Sequence, residues 1–346
     1  MKNKRFLFLT FFSAFIILFF SCRKNNAAPT TTPDMYIVGE SYTTDSALLW
    51  HGGSVDYLSH AFVYTVFVQG NDVYIGGAVR VDGTNHVIAT YWKNGVPVTL
   101  QSSTSNTYIT GMYVSGTDVY AVGSGGLGGG IGFEWNDSAL YALYWKNGQS
   151  TKLDSVITPL NSVGFPRGCY ANGLFVSGSD VYVGGGTNTG ACYWKNGIIT
   201  NLTTAPDTAA GVSAIFIQGS DVYACGSTTV NGYSVAAYWK NGVPVMLPAE
   251  ANSNAYATSM WVSGTDIYIC GVENPVNGQE KATYWKNGVL TILAGSAGSC
   301  QGSSLFVSGT DVYIAGTNNG RAAYWKNGNL TYLSNASSVA NAIFVK

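Results

Sequence analysis

A five-residue motif recurs along this chain at nearly even intervals, and it restricts the possible folds more than any other feature. Tyr-Trp-Lys-Asn-Gly occurs six times, at 91–95, 144–148, 193–197, 238–242, 284–288 and 324–328. A degenerate seventh copy, Leu-Trp-His-Gly-Gly, occupies 49–53. A second motif, written Val-Ser-Gly-Thr-Asp-Val-Tyr at 114–120, precedes each copy in related forms. A repeat length of about 45 residues is typical of propeller blades.

The seventh copy of the second motif is divided between the two ends of the chain. Residues 34–36 hold its last part, and 342–346 match the strand that comes before the motif elsewhere. An open solenoid would need capping repeats at both ends, whereas ring closure removes exposed strand edges. The sequence therefore predicts an all-β fold over 34–346. We expect a seven-bladed β-propeller of four-stranded antiparallel blades, in which the C-terminal strand completes the N-terminal blade.

Each repeat divides into four short strands, here called A to D. In one repeat they are predicted at 215–217, 222–225, 236–239 and 243–247. Asn241 and Gly242 between C and D predict a type I′ hairpin turn, because both central residues of that turn need positive φ. Pro244 in strand D fits an outer edge strand, where no ladder donor is needed. The chain also contains 43 glycines and 14% aromatic residues, as a fold of many turns and strands requires.

The N-terminus has the organisation of an export signal. Three basic residues lie within the first five positions and precede an almost unbroken apolar run over 6–20. The run is short for a membrane span of about 20 residues but suits the core of a signal peptide. It ends in Leu-Phe-Phe-Ser-Cys at 18–22, which resembles a bacterial lipobox. The resemblance implies cleavage before Cys22 and a lipid on its sulfur.

The repeats resemble those of uncharacterised Bacteroidetes-like lipoprotein propellers that carry recurring Tyr-Trp-Lys-Asn-Gly motifs. This resemblance implies the architecture of the mature chain and no particular activity. We expect a lipoprotein signal peptide over 1–21, a lipidated Cys22 and a flexible tether within 22–33, and anchoring to the cell envelope at the outer membrane. Arg23 and Lys24 stand where some surface-exported lipoproteins carry acidic residues. The periplasmic and the surface side of the membrane therefore both stay open.

The charged residues of the two motifs repeat uniformly, like two rings of opposite charge. A binding site normally needs different residues that converge on one point, so we interpret the repeated Asp and Lys as turn chemistry. Charged residues make up only 10% of the chain and the net charge is −1. Nothing in this charge pattern indicates a nucleic-acid partner.

No recognisable catalytic or metal-binding motif appears in the sequence. His51, His60 and His86 do not form a metal-ligand pattern. Residues 123–128 match Gly-x-Gly-x-x-Gly, but no helix is predicted after them to hold a dinucleotide. We therefore predict no cofactor, no metal site and no catalytic residue.

The cysteines after Cys22 form no regular disulfide framework. Two of them, Cys225 and Cys270, occupy the same repeat position and are interpreted as small buried apolar residues. Whether any disulfide forms stays open for the full set, Cys169, Cys192, Cys225, Cys270 and Cys300.

Sequence variation concentrates in the B–C and D–A connections, which emerge on one face of an up-and-down blade. Binding residues are more often found on variable loops held by a rigid scaffold. The third repeat and the connection that follows it stand out, because aromatic, acidic and basic residues occur together there and fit a sugar or peptide platform. Alternatively, these loops pack on each other or cover the channel. The candidate binding residues are Phe133, Glu134, Trp135, Asp137, Phe165, Arg167 and Tyr170.

These observations favour a non-catalytic binding or interaction module for a glycan or protein ligand. The first alternative is a carbohydrate-active hydrolase or lyase. It predicts either a histidine with a tyrosine or an arginine in the channel mouth, or, for hydrolysis, two carboxylates about 5–10 Å apart. They would come from Glu40, Asp45, Asp82, Glu134, Asp137, Glu273 and Glu280. The second alternative is a structural platform for assembly.

Overall fold

The computed structural model is all-β and describes residues 33–346 except 45, 85, 101–105, 127–139, 157–167, 204–208, 294 and 296–297. Its 28 strands form seven four-stranded antiparallel sheets, and no helix occurs within these described residues. The sheets are arranged in a ring as the blades of a β-propeller, which confirms the predicted fold class. The described ranges contain no helix that could span a membrane. The predicted signal peptide and Cys22 lie outside them.

The strands follow one another in chain order, four to a blade. Blades 1 and 2 contain β1 (Met35–Ser41), β2 (Ser46–His51), β3 (Ser54–Ser59), β4 (Ala61–Gln69), β5 (Asp72–Arg80), β6 (Val87–Lys93) and β7 (Val96–Thr99). Blades 3 and 4 contain β8 (Asn106–Ser115), β9 (Asp118–Gly126), β10 (Leu140–Lys146), β11 (Gln149–Val156), β12 (Tyr170–Ser177), β13 (Asp180–Thr187), β14 (Gly190–Lys195) and β15 (Ile198–Asn201). Blade 5 contains β16 (Gly211–Gln218), β17 (Asp221–Val230), β18 (Tyr233–Lys240) and β19 (Val243–Met246). Blades 6 and 7 contain β20 (Ser253–Ser263), β21 (Asp266–Pro275), β22 (Lys281–Lys286), β23 (Val289–Ile292), β24 (Cys300–Ser308), β25 (Asp311–Asn318), β26 (Arg321–Lys326) and β27 (Asn329–Tyr332).

Blade 1 is assembled from both ends of the propeller. Its fourth strand is β28 (Ser338–Val345), and the order within the sheet is β28-β1-β2-β3. The pairing of β28 with β1 is antiparallel and runs from Met35 opposite Val345 to Ser41 opposite Ser338. The predicted closure of the ring by the C-terminal strand is therefore confirmed.

The A strands of neighbouring blades contact one another all the way round the ring, so they are the innermost strands. The D strands form the outer edge, and every residue of β7, β15 and β19 is exposed. Pro97 and Pro244 lie in two of these outer strands, as predicted, because an edge strand tolerates a missing amide donor.

The Asn-Gly turns have the predicted type I′ conformation. In blade 5, φ is 51° at Asn241 and 83° at Gly242. The Asn241 side-chain oxygen also accepts a hydrogen bond from the backbone amide of Val222 at 2.9 Å, and the backbone amide of Asn241 donates to the Val222 carbonyl at 2.8 Å. The asparagine therefore fixes the C–D turn and joins it to the neighbouring A–B turn.

Seven tryptophans fill the spaces between blades, one from the C strand of each. None is more than 6% exposed, and they are Trp50, Trp92, Trp145, Trp194, Trp239, Trp285 and Trp325. Trp285, for example, packs with Met260 of its own blade and with Leu247 from the preceding one. The repeated motif thus supplies a buried aromatic and a tight turn within five residues.

All five cysteines in the described part of the chain are buried and unbridged. Cys225 and Cys270 pack among the apolar residues between blades, which confirms their interpretation as small core residues. Burial raises the pKa of Cys270 to about 12, so its thiol stays protonated and unreactive at neutral pH.

A β-bulge interrupts the A strand of each blade opposite a glycine of strand B. In blade 6 the register shifts between Ala257 and Ser259, next to Gly271. A Cβ atom at Gly271 would lie 2.0 Å from the carbonyl oxygen of Tyr256. The equivalent glycines of the other blades show the same clash, at 1.8 to 2.0 Å. Only glycine lets the two inner strands approach so closely.

Candidate functional site

The propeller has two unlike faces. The turn face carries the A–B and C–D turns, which are two residues long in every blade where both strands follow in sequence. The loop face carries the B–C and D–A connections. Its B–C connections range from the two residues 188–189 to the stretch between Gly126 and Leu140. Differences between blades, which a specific site requires, are thus concentrated on the loop face.

The charged side chains of the turn face are paired within each blade. In blade 5, Asp221 lies 2.9 Å from the Lys240 ammonium and accepts hydrogen bonds from Asn241 at 2.8 Å and from Tyr223 at 3.3 Å. The same ion pair recurs at 2.8 to 3.0 Å in blades 2, 3, 4, 6 and 7. In blade 1, His51 replaces the lysine and stacks on Tyr36 with ring centroids 4.0 Å apart.

Hydrogen bonding within these pairs shifts the pKa of both partners. The bonds from Lys146 and Asn147 lower the pKa of Asp118 to about 2, and the bond to Asp118 raises the pKa of Lys146 to about 12. The turn-face charges thus support the turns, in agreement with their interpretation as turn chemistry. Sequence analysis treated the Asp and Lys rings separately and missed that they pair with each other.

A closed ring of aromatic side chains, the aromatic collar, surrounds the propeller axis near the turn face. It takes one residue from the A strand of each blade, Phe67, Tyr113, Phe175, Phe216, Trp261, Phe306 and Phe344. Neighbouring ring centroids are 4.5 to 5.5 Å apart, and the contact between Phe344 and Phe67 closes the circle. Sequence analysis missed this ring, although an aromatic residue recurs just before each A–B turn.

At the loop-face end of the A strands the blades differ. The position five residues before the collar holds Phe62, Tyr108, Tyr170 and Tyr256 in blades 2, 3, 4 and 6. Blades 5, 7 and 1 carry Gly211, Gln301 and Val339 there. Three of these aromatic residues come from the consecutive blades 2, 3 and 4 on one side of the axis, and the fourth, Tyr256, comes from blade 6.

We call Phe62, Tyr64, Tyr108 and Tyr170 the aromatic arc. Tyr64 stands at the bulge of its strand, is 39% exposed, and meets Tyr108 edge to face with centroids 6.1 Å apart. The Arg80 guanidinium lies over the Phe62 ring at 5.3 Å. Desolvation raises the pKa of Tyr64, and the charge of Glu40 adds to the increase. The arc thus combines aromatic rings with a guanidinium and a carboxylate.

Tyr170 is the one sequence-predicted binding residue that the structure describes. It is half-buried at the start of β12. Its ring occupies the space beside Gly186 and its hydroxyl lies against Gly211, where a Cβ would be 1.9 Å away. Burial raises its pKa to about 12. The other candidates lie outside the described residues, and they are Phe133, Glu134, Trp135, Asp137, Phe165 and Arg167.

The candidate carboxylates that the structure describes lie in different surroundings. Asp82 contacts His60 at 3.3 Å with both side chains exposed. Glu280 accepts hydrogen bonds from Ser299 and, at 2.7 Å, from Gln301. Asp45, Glu134 and Asp137 lie outside the described residues. Among those that are described, no group of three or more His, Cys, Asp and Glu side chains is placed to hold a metal ion.

Glu273 is the fully buried candidate. It accepts a hydrogen bond from the Glu250 amide at 3.3 Å, and its second oxygen is buried without a partner among the described residues. Burial raises its pKa, and the nearby charge of Glu250 adds to this effect. The equivalent positions in other blades hold neutral residues, such as Thr187 and Asn318.

The fold and the site define a seven-bladed β-propeller with one uniform face and one variable face. No protein-family model and no curated protein matches the chain. Similar solved structures include the Pyrococcus horikoshii acylaminoacyl peptidase in its orthorhombic crystal form, at 9% identity and a TM-score of 0.48 over 87% of this chain and 50% of that one. The uncomplexed form of the same enzyme gives 11% identity with the same TM-score and coverage.

A puromycin-hydrolyzing peptidase of Mycobacterium tuberculosis gives 12% identity and a TM-score of 0.48, over 83% of this chain and 49% of that one. The chain thus spans about half the length of these solved structures. At such identities and TM-scores the likeness carries no information about activity.

Proposed function

We propose that this protein is a lipid-anchored component of a bacterial cell envelope that binds a glycan, without catalysis, at the loop-face end of the propeller axis. The aromatic arc is the observation that carries this proposal. Tyr64 and Tyr108 lie where the blades differ, and Tyr64 remains exposed. Sugar rings stack on aromatic faces through their C–H bonds. Glu40 and Arg80 provide acceptor and donor groups for sugar hydroxyls beside the arc.

The proposed site also includes the two connections that the sequence predicts to bind a ligand. The stretch after Gly126 and the stretch before Tyr170 both leave the loop face, from blades 3 and 4. These are the blades that supply Tyr108 and Tyr170 to the arc. We propose that Trp135 and its neighbours complete the ligand site above the arc, and that Cys22 carries the lipid, as in the Bacteroidetes-like lipoproteins that the repeats resemble.

The enzyme alternative requires two carboxylates, or a histidine with a tyrosine or an arginine, that converge at the channel mouth. The described candidates instead lie in the separate surroundings given above, so the proposal assigns no catalytic residue. A protein ligand and an assembly role remain as outcomes of the same test.

The test is a glycan-panel binding screen of the chain from residue 23 onward, compared with two alanine variants of the proposed site and one control variant. Tyr64→Ala and Trp135→Ala remove one aromatic ring each from the proposed site. Tyr57→Ala removes a ring that is 62% exposed on β3, in the outer strand of blade 1. Circular dichroism confirms that each variant is folded.

Binding that both site variants weaken and Tyr57→Ala leaves unchanged would support the proposal. Binding that no site variant affects would contradict the location of the site. Release of new reducing ends from a bound glycan would favour the hydrolase. If no glycan of the panel binds and the protein instead captures an envelope protein, and Tyr64→Ala abolishes that capture, the ligand is a protein and not a glycan.

A further inference from the structure

The chain enters the propeller on the turn face. Asp34 immediately precedes β1, and its carbonyl oxygen accepts a hydrogen bond from the amide of Lys346 at 2.9 Å. In blade 5 the corresponding place is the A–B turn at 219–220, which precedes Asp221. Any segment that precedes Asp34 therefore starts from the turn face.

The tether between the lipid site and the propeller is short compared with the thickness of a blade. Eleven residues, 23–33, separate Cys22 from Asp34. A flexible chain of that length has an end-to-end distance of about 20 Å and reaches about 40 Å when fully extended. Strand β17 has 10 residues and runs from the turn face to the loop face, a distance of about 33 Å. A relaxed tether is therefore shorter than the path to the loop face.

Four apolar side chains project from the rim of the turn face, and we call them the apolar tips. Each directly follows an Asn-Gly turn and is between 64% and 74% exposed, and they are Val96, Ile198, Val243 and Val289. The other three blades carry Ser54, Gln149 and Asn329 at this position. These four β-branched side chains lie on the face from which the tether starts, where a membrane interface would remove them from water.

The charged groups of the turn face do not oppose such a neighbour. Each of its six lysine–aspartate pairs is internally neutral, with nitrogen–oxygen distances of 2.8 to 3.0 Å. The surface therefore presents no ring of like charge toward a membrane. Its exposed groups include the apolar tips and the lysine side chains, whose methylene stems can extend along an interface.

We propose that the turn face lies against the bilayer that holds the lipid of Cys22, with the apolar tips in the membrane interface. This inference rests on the lipid anchor of the proposed function. The loop face then points away from the membrane, and its ligand is presented from the aqueous side rather than drawn from the lipid headgroups of the same bilayer.

The test uses the full lipidated protein in phosphatidylethanolamine–phosphatidylglycerol vesicles that contain a quencher on the lipid chains. A fluorophore is attached to Ser220→Cys in one sample and to Val230→Cys in another. Ser220 directly precedes β17 on the turn face, Val230 is the last residue of β17 at the loop face, and both are exposed. The native cysteines of the described residues are buried, so the introduced thiol is the one that reacts.

We expect the label at 220 to be quenched several-fold more than the label at 230. Equal quenching, or stronger quenching at 230, would overturn the proposed orientation. Vesicle flotation, with Cys22→Ser as the control, is measured on the same samples. Protein that fails to float would overturn the lipid anchor itself, whereas protein that floats with equal quenching overturns only the orientation.

A second variant tests the apolar tips separately. Replacing Val96, Ile198, Val243 and Val289 by serine is expected to reduce quenching at 220 toward the level at 230 while the protein still floats. The matched control replaces Val98 and Val245, which are on the same outer strands and 37% and 38% exposed, and is expected to leave the quenching unchanged. Unchanged quenching in the fourfold variant would overturn the role of the tips.

Discussion

The amide of Lys346 donates a hydrogen bond of 2.9 Å to the carbonyl oxygen of Asp34, so the two ends of the propeller lie side by side in blade 1. In blade 5 the same positions are joined by Gly219 and Ser220. The propeller is therefore one two-residue turn short of a continuous circle of chain. If that turn were supplied, blade 1 would have the same A–B turn as the other six blades.

This relationship predicts the behaviour of a circular permutant. Joining Lys346 to Asp34 through Gly-Ser and opening the chain between Gly219 and Ser220 keeps every strand pair intact. We expect the permutant to fold with a thermal midpoint close to that of the chain beginning at residue 34. As a control, opening the chain between Ile215 and Phe216, inside β16, is expected to abolish folding. A permutant opened at 219–220 that fails to fold would contradict the ring closure.

The glycine opposite each bulge predicts a large and local stability effect. In Gly271→Ala the new Cβ would lie 2.0 Å from the Tyr256 carbonyl oxygen, a backbone atom that cannot move aside alone. We expect a loss of at least about 2 kcal/mol in the free energy of unfolding, measured by denaturant titration. In the control, Gly278→Ala, the nearest atom is the Pro275 Cβ at 3.1 Å, and the change should stay within about 0.5 kcal/mol. Equal effects at both positions would contradict the clash.

The turn-face ion pairs predict a stability loss in acid. Hydrogen bonds to lysine and asparagine hold the pKa of Asp118 at about 2, below the ordinary value of 3.8. A carboxyl group whose pKa is lowered by folding stabilises the native state above its unfolded pKa, and this contribution is lost as the pH falls through the folded pKa. We expect the temperature at the unfolding midpoint to decrease as the pH is lowered from 4 to 2.

The Asp118→Asn variant isolates one of these pairs. Its midpoint should be lower than that of the original protein at pH 7, and the difference should shrink as the pH approaches 2. Thermal scans at both pH values measure the effect. A difference that stays constant across this range would mean that Asp118 does not act through its charge.

The buried carboxyl of Glu273 predicts the opposite pH dependence. Burial raises its pKa from the ordinary 4.5, so the native state favours the protonated form and loses stability as the pH rises through that raised value. We expect Glu273→Gln to be more stable than the original protein at pH 7 and to differ less at pH 4.5. The control is Asp56→Asn, which changes an exposed carboxyl on the outer strand β3. A destabilised Glu273→Gln at pH 7 would show that the charged carboxylate is needed in the fold.

The parts of the structure that the sequence revealed are those governed by local rules. Asn241 and Gly242 specify a turn that needs positive φ at two positions. The strand at the C-terminus matched a missing piece of the first repeat, and that match was enough to predict that this strand completes the N-terminal blade, where Met35 lies opposite Val345. Because each repeat obeys the same rules, seven weak signals reinforced one another.

The candidate site depended on placement in three dimensions, which the repeats alone do not determine. The repeated aspartates and lysines, such as Asp221 and Lys240, form one set of ion pairs because the A–B and C–D turns lie side by side. Tyr170 was predicted as a binding residue from its neighbours in the sequence, but the close fit of its ring to the space that Gly186 leaves open becomes visible only in the structure. Tyr64 gave no sequence signal, because its exposure follows from a bulge in β4.

The most direct test compares how tightly Tyr64→Ala and Tyr57→Ala bind the glycan that the original protein prefers. Titration calorimetry on folded protein gives the dissociation constant of each variant. Loss of one stacking ring is expected to weaken binding about tenfold, which corresponds to about 1.4 kcal/mol. We predict this loss for Tyr64→Ala and an unchanged constant for Tyr57→Ala. Equal constants for both variants and the original protein would contradict a ligand site at the aromatic arc.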